Sequence, residues 1–179
     1  IHNPNAHAAQ VVVEVDFDMT ALTNDVIFNG TLGTNDTARY FSFDVDSNAT
    51  VATFQLLKLS SNADLVIRKG TPLPTLTSSD YGSFSVSDFD ENIFVLTNSS
   101  PIPLSPGRWF AGVIKRSDPV VNYTILAKEL TNAPTIIPLQ NGVPYDFTNL
   151  DAGADLTNFF SFTVTNVAAP SIHFELYHL

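Results

Sequence analysis

The chain has 179 residues and a formal net charge of −10, from 8 Lys and Arg against 18 Asp and Glu. A negative field of this size excludes nucleic acid and anionic lipid as favourable partners, because both are polyanions. Hydrophobic residues make up 44% of the chain and charged residues only 15%, which excludes global disorder and predicts a globular protein. Ser, Thr and Asn must supply much of the polar surface, and they favour strands and turns over helices.

Short windows in which apolar and polar residues alternate recur along the chain, as in strands with one buried face. In the clearest window, Phe41 and Phe43 lie on one face and Tyr40 on the other. In chain order, the predicted strands are Val11–Phe17, Arg39–Val45, Val51–Leu57, Leu65–Arg68, Ile93–Thr97, Arg108–Ile114, Tyr123–Ala127, Phe159–Val164 and Ile172–Tyr177. Turn formers such as Asn29-Gly30 lie between them. No long window keeps a helical period, so we predict an all-β sandwich of two sheets.

Part of the sequence recurs about 120 residues later, which indicates an internal repeat. LTNDVIF at Leu22–Phe28 resembles LQNGVPY at Leu139–Tyr145, YFSFDV at Tyr40–Val45 resembles FFSFTV at Phe159–Val164, and FQL at Phe54–Leu56 resembles FEL at Phe174–Leu176. We therefore predict a complete unit over 22–130, a connector over 131–138 and the opening strands of a second, incomplete unit over 139–179. Residues 1–21 form a leading segment, in which Val11–Phe17 is a candidate closing strand of an upstream unit.

An incomplete unit has a physical consequence for its aromatic side chains. Strands that carry Phe160, Phe162 and Phe174 cannot bury these rings without a second sheet. We expect them to pack on the complete unit or to exchange strands with a second chain.

Six motifs that contain predicted strands occur one after another along the chain: ARYFSFDV, NADLVIRKG (62–70), SSDYGSFS (78–85), ENIFV (91–95), PGRWFAGVI (106–114) and NYTILA (122–127). In order and spacing this series resembles the bacterial pre-peptidase C-terminal domain family over residues 22–130, and partly again after residue 139. The resemblance implies a jelly-roll-like antiparallel β-sandwich on secreted hydrolases or surface proteins, without catalysis of its own. Some members bind a polymeric substrate and some bind calcium.

Two groups of acidic residues are candidate calcium ligands, because hard cations prefer carboxylate oxygens. Asp44 and Asp46 lie two residues apart at the end of a strand, and Asp88, Asp90 and Glu91 follow one another in the segment SDFDEN. The alternative is a solvated acidic turn, which we favour because neither group lies in an EF-hand or glycine-rich calcium motif. Calcium is the only cofactor that the sequence suggests.

Three residues of the family motifs have a predicted structural role. Asp64 precedes an apolar strand and is expected to accept turn N–H groups or to pair with Arg68 on the same strand face. Trp109 is expected in the core, on the face of its strand shared by Ala111 and Val113.

Exposed aromatic rings are the candidate ligand-binding residues, since β-sandwiches recognise sugars and polymers with such rings. The candidates are Tyr40, Tyr81, Phe89 and Phe110. Partial burial of these rings under loops or in a neighbouring repeat is an equal alternative. Five N-x-S/T triplets, those at Asn29 and Asn122 among them, follow from the composition and carry no prediction.

Catalysis is not predicted. The chain has no Cys, no G-x-S-x-G and no H-E-x-x-H, and its four His residues lie near the two ends. No apolar run reaches the roughly 18 residues that span a bilayer, so we predict no membrane insertion. The sequence favours a non-catalytic spacer or adhesive module of a secreted or surface bacterial protein, whose partners are neighbouring repeats. The alternative is an accessory module of a secreted hydrolase that binds carbohydrate or a protein polymer.

Overall fold

The computed structural model describes residues 19–116, 120–132, 135–146, 159–165 and 171–175. Contacts divide the chain into two compact units, Ile1–Thr131 and Asn132–Leu179. The strands of the first unit are β1 (Thr20–Ala21), β2 (Phe28–Leu32), β3 (Ala38–Val45), β4 (Val51–Leu57), β5 (Ala63–Lys69), β6 (Tyr81–Ser83), β7 (Glu91–Leu96), β8 (Gly107–Lys115) and β9 (Val121–Leu130). Those of the second unit are β10 (Ile136–Pro138) and β11 (Phe159–Ser161). In the part of the chain described here, no helix is long and apolar enough to cross a membrane.

The first unit is a sandwich of two sheets. Sheet A has the strand order β1-β3-β8-β5-β6, and sheet B has the order β2-β9-β4-β7. The strand pairs of both sheets are antiparallel, apart from the parallel pair of β1 with β3. From β2 to β5 the chain alternates between the sheets, and this winding gives the strand order of a jelly roll. The predicted jelly-roll-like β-sandwich is confirmed.

Aromatic and branched side chains from the facing sides of the two sheets form the core. Phe43 of β3 and Phe54 of β4 meet edge to face, with ring centroids 5.7 Å apart. Trp109 of β8 is fully buried, lies 6.5 Å from Phe54 between ring centroids, and donates its indole N–H to the carbonyl of Ser105 at 3.1 Å. Trp109 therefore lies in the core, on the face that alternation assigns to it.

The predicted strands of the first unit correspond to β3, β4, β5, β7, β8 and β9. Val11–Phe17 lies outside the described residues. The prediction of a turn at Asn29-Gly30 is wrong, because both residues belong to β2 and pair with β9. Gly30 lies opposite Tyr123, and a Cβ at Gly30 would lie 2.5 Å from the Tyr123 ring. The absence of a side chain at Gly30 thus allows the Tyr123 ring to pack against the strand, and the chain does not bend there.

The second unit contains a short parallel sheet of β10 and β11. Strand β10 lies in the segment predicted as a connector, and β11 ends at Ser161, which is earlier than predicted. Residues 171–175 form no strand, contrary to the expectation for Ile172–Tyr177, whose last two residues lie outside the described part.

The backbone of the second unit has the same hydrogen bonds as the beginning of the first. Thr20 pairs with Phe41 and Ile137 with Phe160, which are corresponding positions of the sequence repeat. The N–H of Leu22 donates to Ser42 O at 2.8 Å, and the N–H of Leu139 donates to Ser161 O at 2.7 Å. The following turns also agree, with positive φ at Asp25 (58°) and Gly142 (71°).

The aromatic contacts of the two units correspond in the same way. Phe28 and Phe41 meet at 5.3 Å and 64°, and their counterparts Tyr145 and Phe160 meet at 5.9 Å and 67°. Likewise Phe43 and Phe54 meet at 5.7 Å and 87°, while Phe162 and Phe174 meet at 6.2 Å and 90°. The two units therefore share both the backbone pairing and the ring packing at which the sandwich begins.

Candidate functional site

Three aromatic rings and one Val lie together on the outer face of sheet A. We call these residues, Tyr40, Val66, Phe84 and Phe110, the aromatic strip. Tyr40 lies opposite Gly112 of β8, and a Cβ at Gly112 would lie 3.0 Å from the Tyr40 ring. The ring of Phe84 covers Gly82 of β6 in the same manner. Val66 of β5 pairs with both glycines, with Gly82 on one side and Gly112 on the other. It is fully buried, although it points away from the core. The strip thus covers the part of the sheet where two glycines supply no side chain.

Phe110 continues the strip along β8. It lies between Ser42 and Arg68 in the register, which makes it a diagonal neighbour of Tyr40, and it is half-buried. Two of the four predicted ligand-binding aromatics are therefore brought together on one outer face. This orientation follows from alternation, but their adjacency depends on the pairing of β3 with β8.

The other two aromatic candidates are placed apart from each other. Tyr81 packs against the core, and its hydroxyl donates to the carbonyl of Ile102 and accepts from the Ile102 N–H at 3.3 Å. Phe89 lies in the loop between β6 and β7 and is 66% exposed. Val86 of the same loop is also strongly exposed. The Tyr81 hydroxyl is used within the fold, whereas Phe89 is accessible to a ligand.

The two residues of the first acidic candidate group, Asp44 and Asp46, contact different partners. Asp44 forms a bidentate ion pair with Arg108, with Nε to Oδ1 at 2.8 Å and Nη2 to Oδ2 at 2.7 Å. The hydrogen bond from Arg108 holds the pKa of Asp44 below its ordinary value. Asp46 instead donates its backbone N–H to Glu129 at 2.9 Å. Burial raises the pKa of Glu129, and this hydrogen bond opposes the rise.

The second acidic group is also separated. Asp88 accepts from the Ser87 hydroxyl, Asp90 accepts from the Lys58 N–H at 2.8 Å, and Glu91 accepts from the Ser83 hydroxyl and the Ser85 N–H. Glu91 is fully buried because its position on β7 points inward. No three His, Asp or Glu side chains converge as in a metal site within the described residues. The alternation of polar and apolar residues in the sequence does not indicate that acidic residues close in sequence contact different partners.

Asp64 pairs with Arg116 at 3.2 Å and not with Arg68, so the predicted pairing is wrong. Asp64 and Arg68 lie four residues apart on β5, which is about 13 Å along a strand and too far for contact. Arg68 donates to the Ser78 hydroxyl at 2.8 Å. Asp64 is nearly buried, and this desolvation raises its pKa, while the charge of Arg116 lowers it and that of Glu91 raises it further.

A polar ladder on the outer face of sheet B was missed from the sequence. It consists of two N-x-T triplets that face each other across β2 and β9. Thr31 donates to the side-chain carbonyl of Asn122, and Thr124 donates to that of Asn29, both at 2.8 Å. The triplets were visible in the sequence, but only the antiparallel register makes their side chains reciprocal partners.

The ladder forms one wall of an open cleft of about 500 Å³, whose other lining residues are Gly30, Arg39, Lys58 and Tyr123. Arg39 lies over the rings of Phe28 and Phe41, 4.9 and 5.5 Å from their centroids. Burial raises the pKa of Tyr123 to about 12, so its phenol stays protonated and cannot act as a base near neutral pH. The cleft offers amide, hydroxyl and cationic groups for hydrogen bonding.

No protein-family model matches this sequence, and no curated protein matches it. The structure is similar to the solved pre-peptidase C-terminal domain of a collagenase from Bacillus anthracis, with a TM-score of 0.47 and 14% sequence identity. The match covers 65% of this chain and 100% of that chain. That domain has the name of the family that the sequence motifs resemble.

Proposed function

We propose that this chain is a non-catalytic β-sandwich module of a secreted or surface-exposed bacterial protein, where it acts as a spacer or adhesive unit in a tandem array. The observation that carries the proposal is the agreement of backbone pairing and ring contacts at the beginnings of the two units. This agreement supports a tandem array, because the units of an array share the same strand pairing and ring packing.

The use of the acidic side chains supports a non-catalytic role. General acid–base chemistry needs a carboxylate aimed at a cleft with room for a substrate. Asp44 and Asp64 are instead held by arginines, and Glu91 is enclosed by the hydroxyl of Ser83 and the N–H of Ser85. These three carboxylates therefore have their contacts within the fold and do not face a substrate cleft.

A second candidate function is supported by the aromatic strip. Two neighbouring rings on the outer face of sheet A form the kind of surface on which a sugar ring or an extended polymer can stack, and Phe89 adds an exposed ring in the loop between β6 and β7. In this case the chain is an accessory module that binds the substrate of a hydrolase.

Retention of the whole chain on insoluble polysaccharides and on collagen fibrils tests the two functions. Phe110→Ala removes the outward ring of sheet A, and Phe94→Ala is the matched control, because Phe94 is an outward ring on sheet B. The spacer or adhesive function predicts equal retention of the wild type and both variants. Loss of retention in Phe110→Ala alone overturns it in favour of substrate binding. Hydrolysis of the retained polymer by the purified chain contradicts both functions.

A further inference from the structure

The positions that form the core of the first unit carry exposed apolar side chains in the second. Phe54 is fully buried, whereas its counterpart Phe174 is 68% exposed. Val45 and Val164 are 4% and 44% exposed. Ala52 is fully buried, and its counterpart Ile172 is 47% exposed. We call Phe160, Val164, Ile172 and Phe174 the opening face of the second unit.

The first unit contains the strands that cover the corresponding face. Trp109 of β8 lies 6.5 Å from Phe54, and Tyr123 of β9 lies 6.4 Å from Phe41, between ring centroids. The same two strands flank the opening strands in the sheets, since Phe41 pairs with Ala111 of β8 and Phe54 with Ala127 of β9. The chain therefore contains a structural template for what covers such a face.

We propose that the opening face of the second unit binds the β8–β9 segment, residues 105–130, of another copy of this repeat. The proposal rests on the tandem array and specifies which strands complete a unit. Phe174 of the opening face and its neighbour Phe162 have the mutual ring geometry that Phe43 and Phe54 have beside Trp109, so the rings that a β8-type strand would contact are already arranged as in the first unit. Residues 159–165 carry no charge, and recognition there depends on burial of apolar side chains and on strand pairing.

A labelled peptide of residues 105–130, added to the whole chain and followed by fluorescence anisotropy, tests the proposal. We expect saturable binding of one peptide per chain. Phe174→Ser should weaken it by roughly tenfold or more, because one buried Phe ring contributes at least that factor. Phe89→Ser is the matched control, because Phe89 is a similarly exposed Phe (66%) in the first unit, and it should bind the peptide like the wild type. Equal affinity of both variants, or no binding, overturns the proposal.

A fusion provides a second measurement that does not depend on the solubility of the peptide. Residues 57–130 are appended after Leu176, the position that corresponds to Leu56, so that the second unit receives its own closing strands. We expect slower amide hydrogen exchange in residues 159–161 than in the original chain, because the appended strands cover them. Unchanged exchange overturns the proposal. Neither measurement involves retention on a polymer, so failure of this proposal is distinguishable from failure of the proposed function.

Discussion

The same substitution at two corresponding positions should have very different effects on stability. Phe54→Ala removes a fully buried ring that contacts Phe43 and Trp109. Core truncations of this kind cost about 3–5 kcal/mol. At about 4 °C per kcal/mol for a domain near 100 residues, Tm should fall by about 12–20 °C. Phe174→Ala removes a ring that is 68% exposed, so less than a third of its surface contributes, and its cost should stay below about 1 kcal/mol.

Urea unfolding followed by tryptophan fluorescence measures this difference directly. Trp109 is the only tryptophan and is fully buried in the first unit, so its emission reports the unfolding of that unit. Phe54→Ala should move the transition to lower urea without changing its slope, and Phe174→Ala should leave the transition in place. Equal shifts for the two variants would refute the assignment of Phe54 to a closed core and of Phe174 to an open face.

Three further outcomes are expected. Gly30→Ala should destabilise the first unit by about 1–3 kcal/mol in urea unfolding, because the new Cβ would lie 2.5 Å from the buried Tyr123 ring; no loss would mean that this ring can move aside. A double-mutant cycle of Asp44→Ala and Arg108→Ala should give a weak coupling that decreases with salt, since both side chains are more than half exposed; a strong coupling that salt does not change would contradict this. Burial raises the pKa of Asp64, so its carboxylate destabilises the fold well above that pKa and ceases to do so as the pH falls towards 3.8. Asp64→Asn should therefore lose less stability than the wild type when the pH rises from about 4 to 7, and identical pH profiles would disprove this.

Alternation in the sequence was sufficient to predict six strands of the first unit, β3, β4, β5, β7, β8 and β9, and the faces of their side chains. Phe41 and Trp109 were predicted to point inward and Tyr40 and Phe110 outward, and the structure has all four as predicted. A strand has a side-chain period of two, so the face of each residue is a local property that does not depend on its partner strand. The sequence also indicates an internal repeat, because corresponding residues recur at a nearly constant offset, and the repeat stays a prediction.

Pairs between distant residues required the tertiary structure. Asp64 has Arg116 as its partner and not Arg68, and Asn29 faces Thr124, because these contacts depend on which strands are neighbours and in which register. Gly30 looked like a turn former, but the Tyr123 ring opposite it makes a strand the better use of a missing side chain. The local propensity of a residue contains no information about which side chain faces it on the neighbouring strand. The period of the sequence therefore determined which face of a strand each side chain is on, while strand order and register decided which side chains meet and buried Val66 on an outward face.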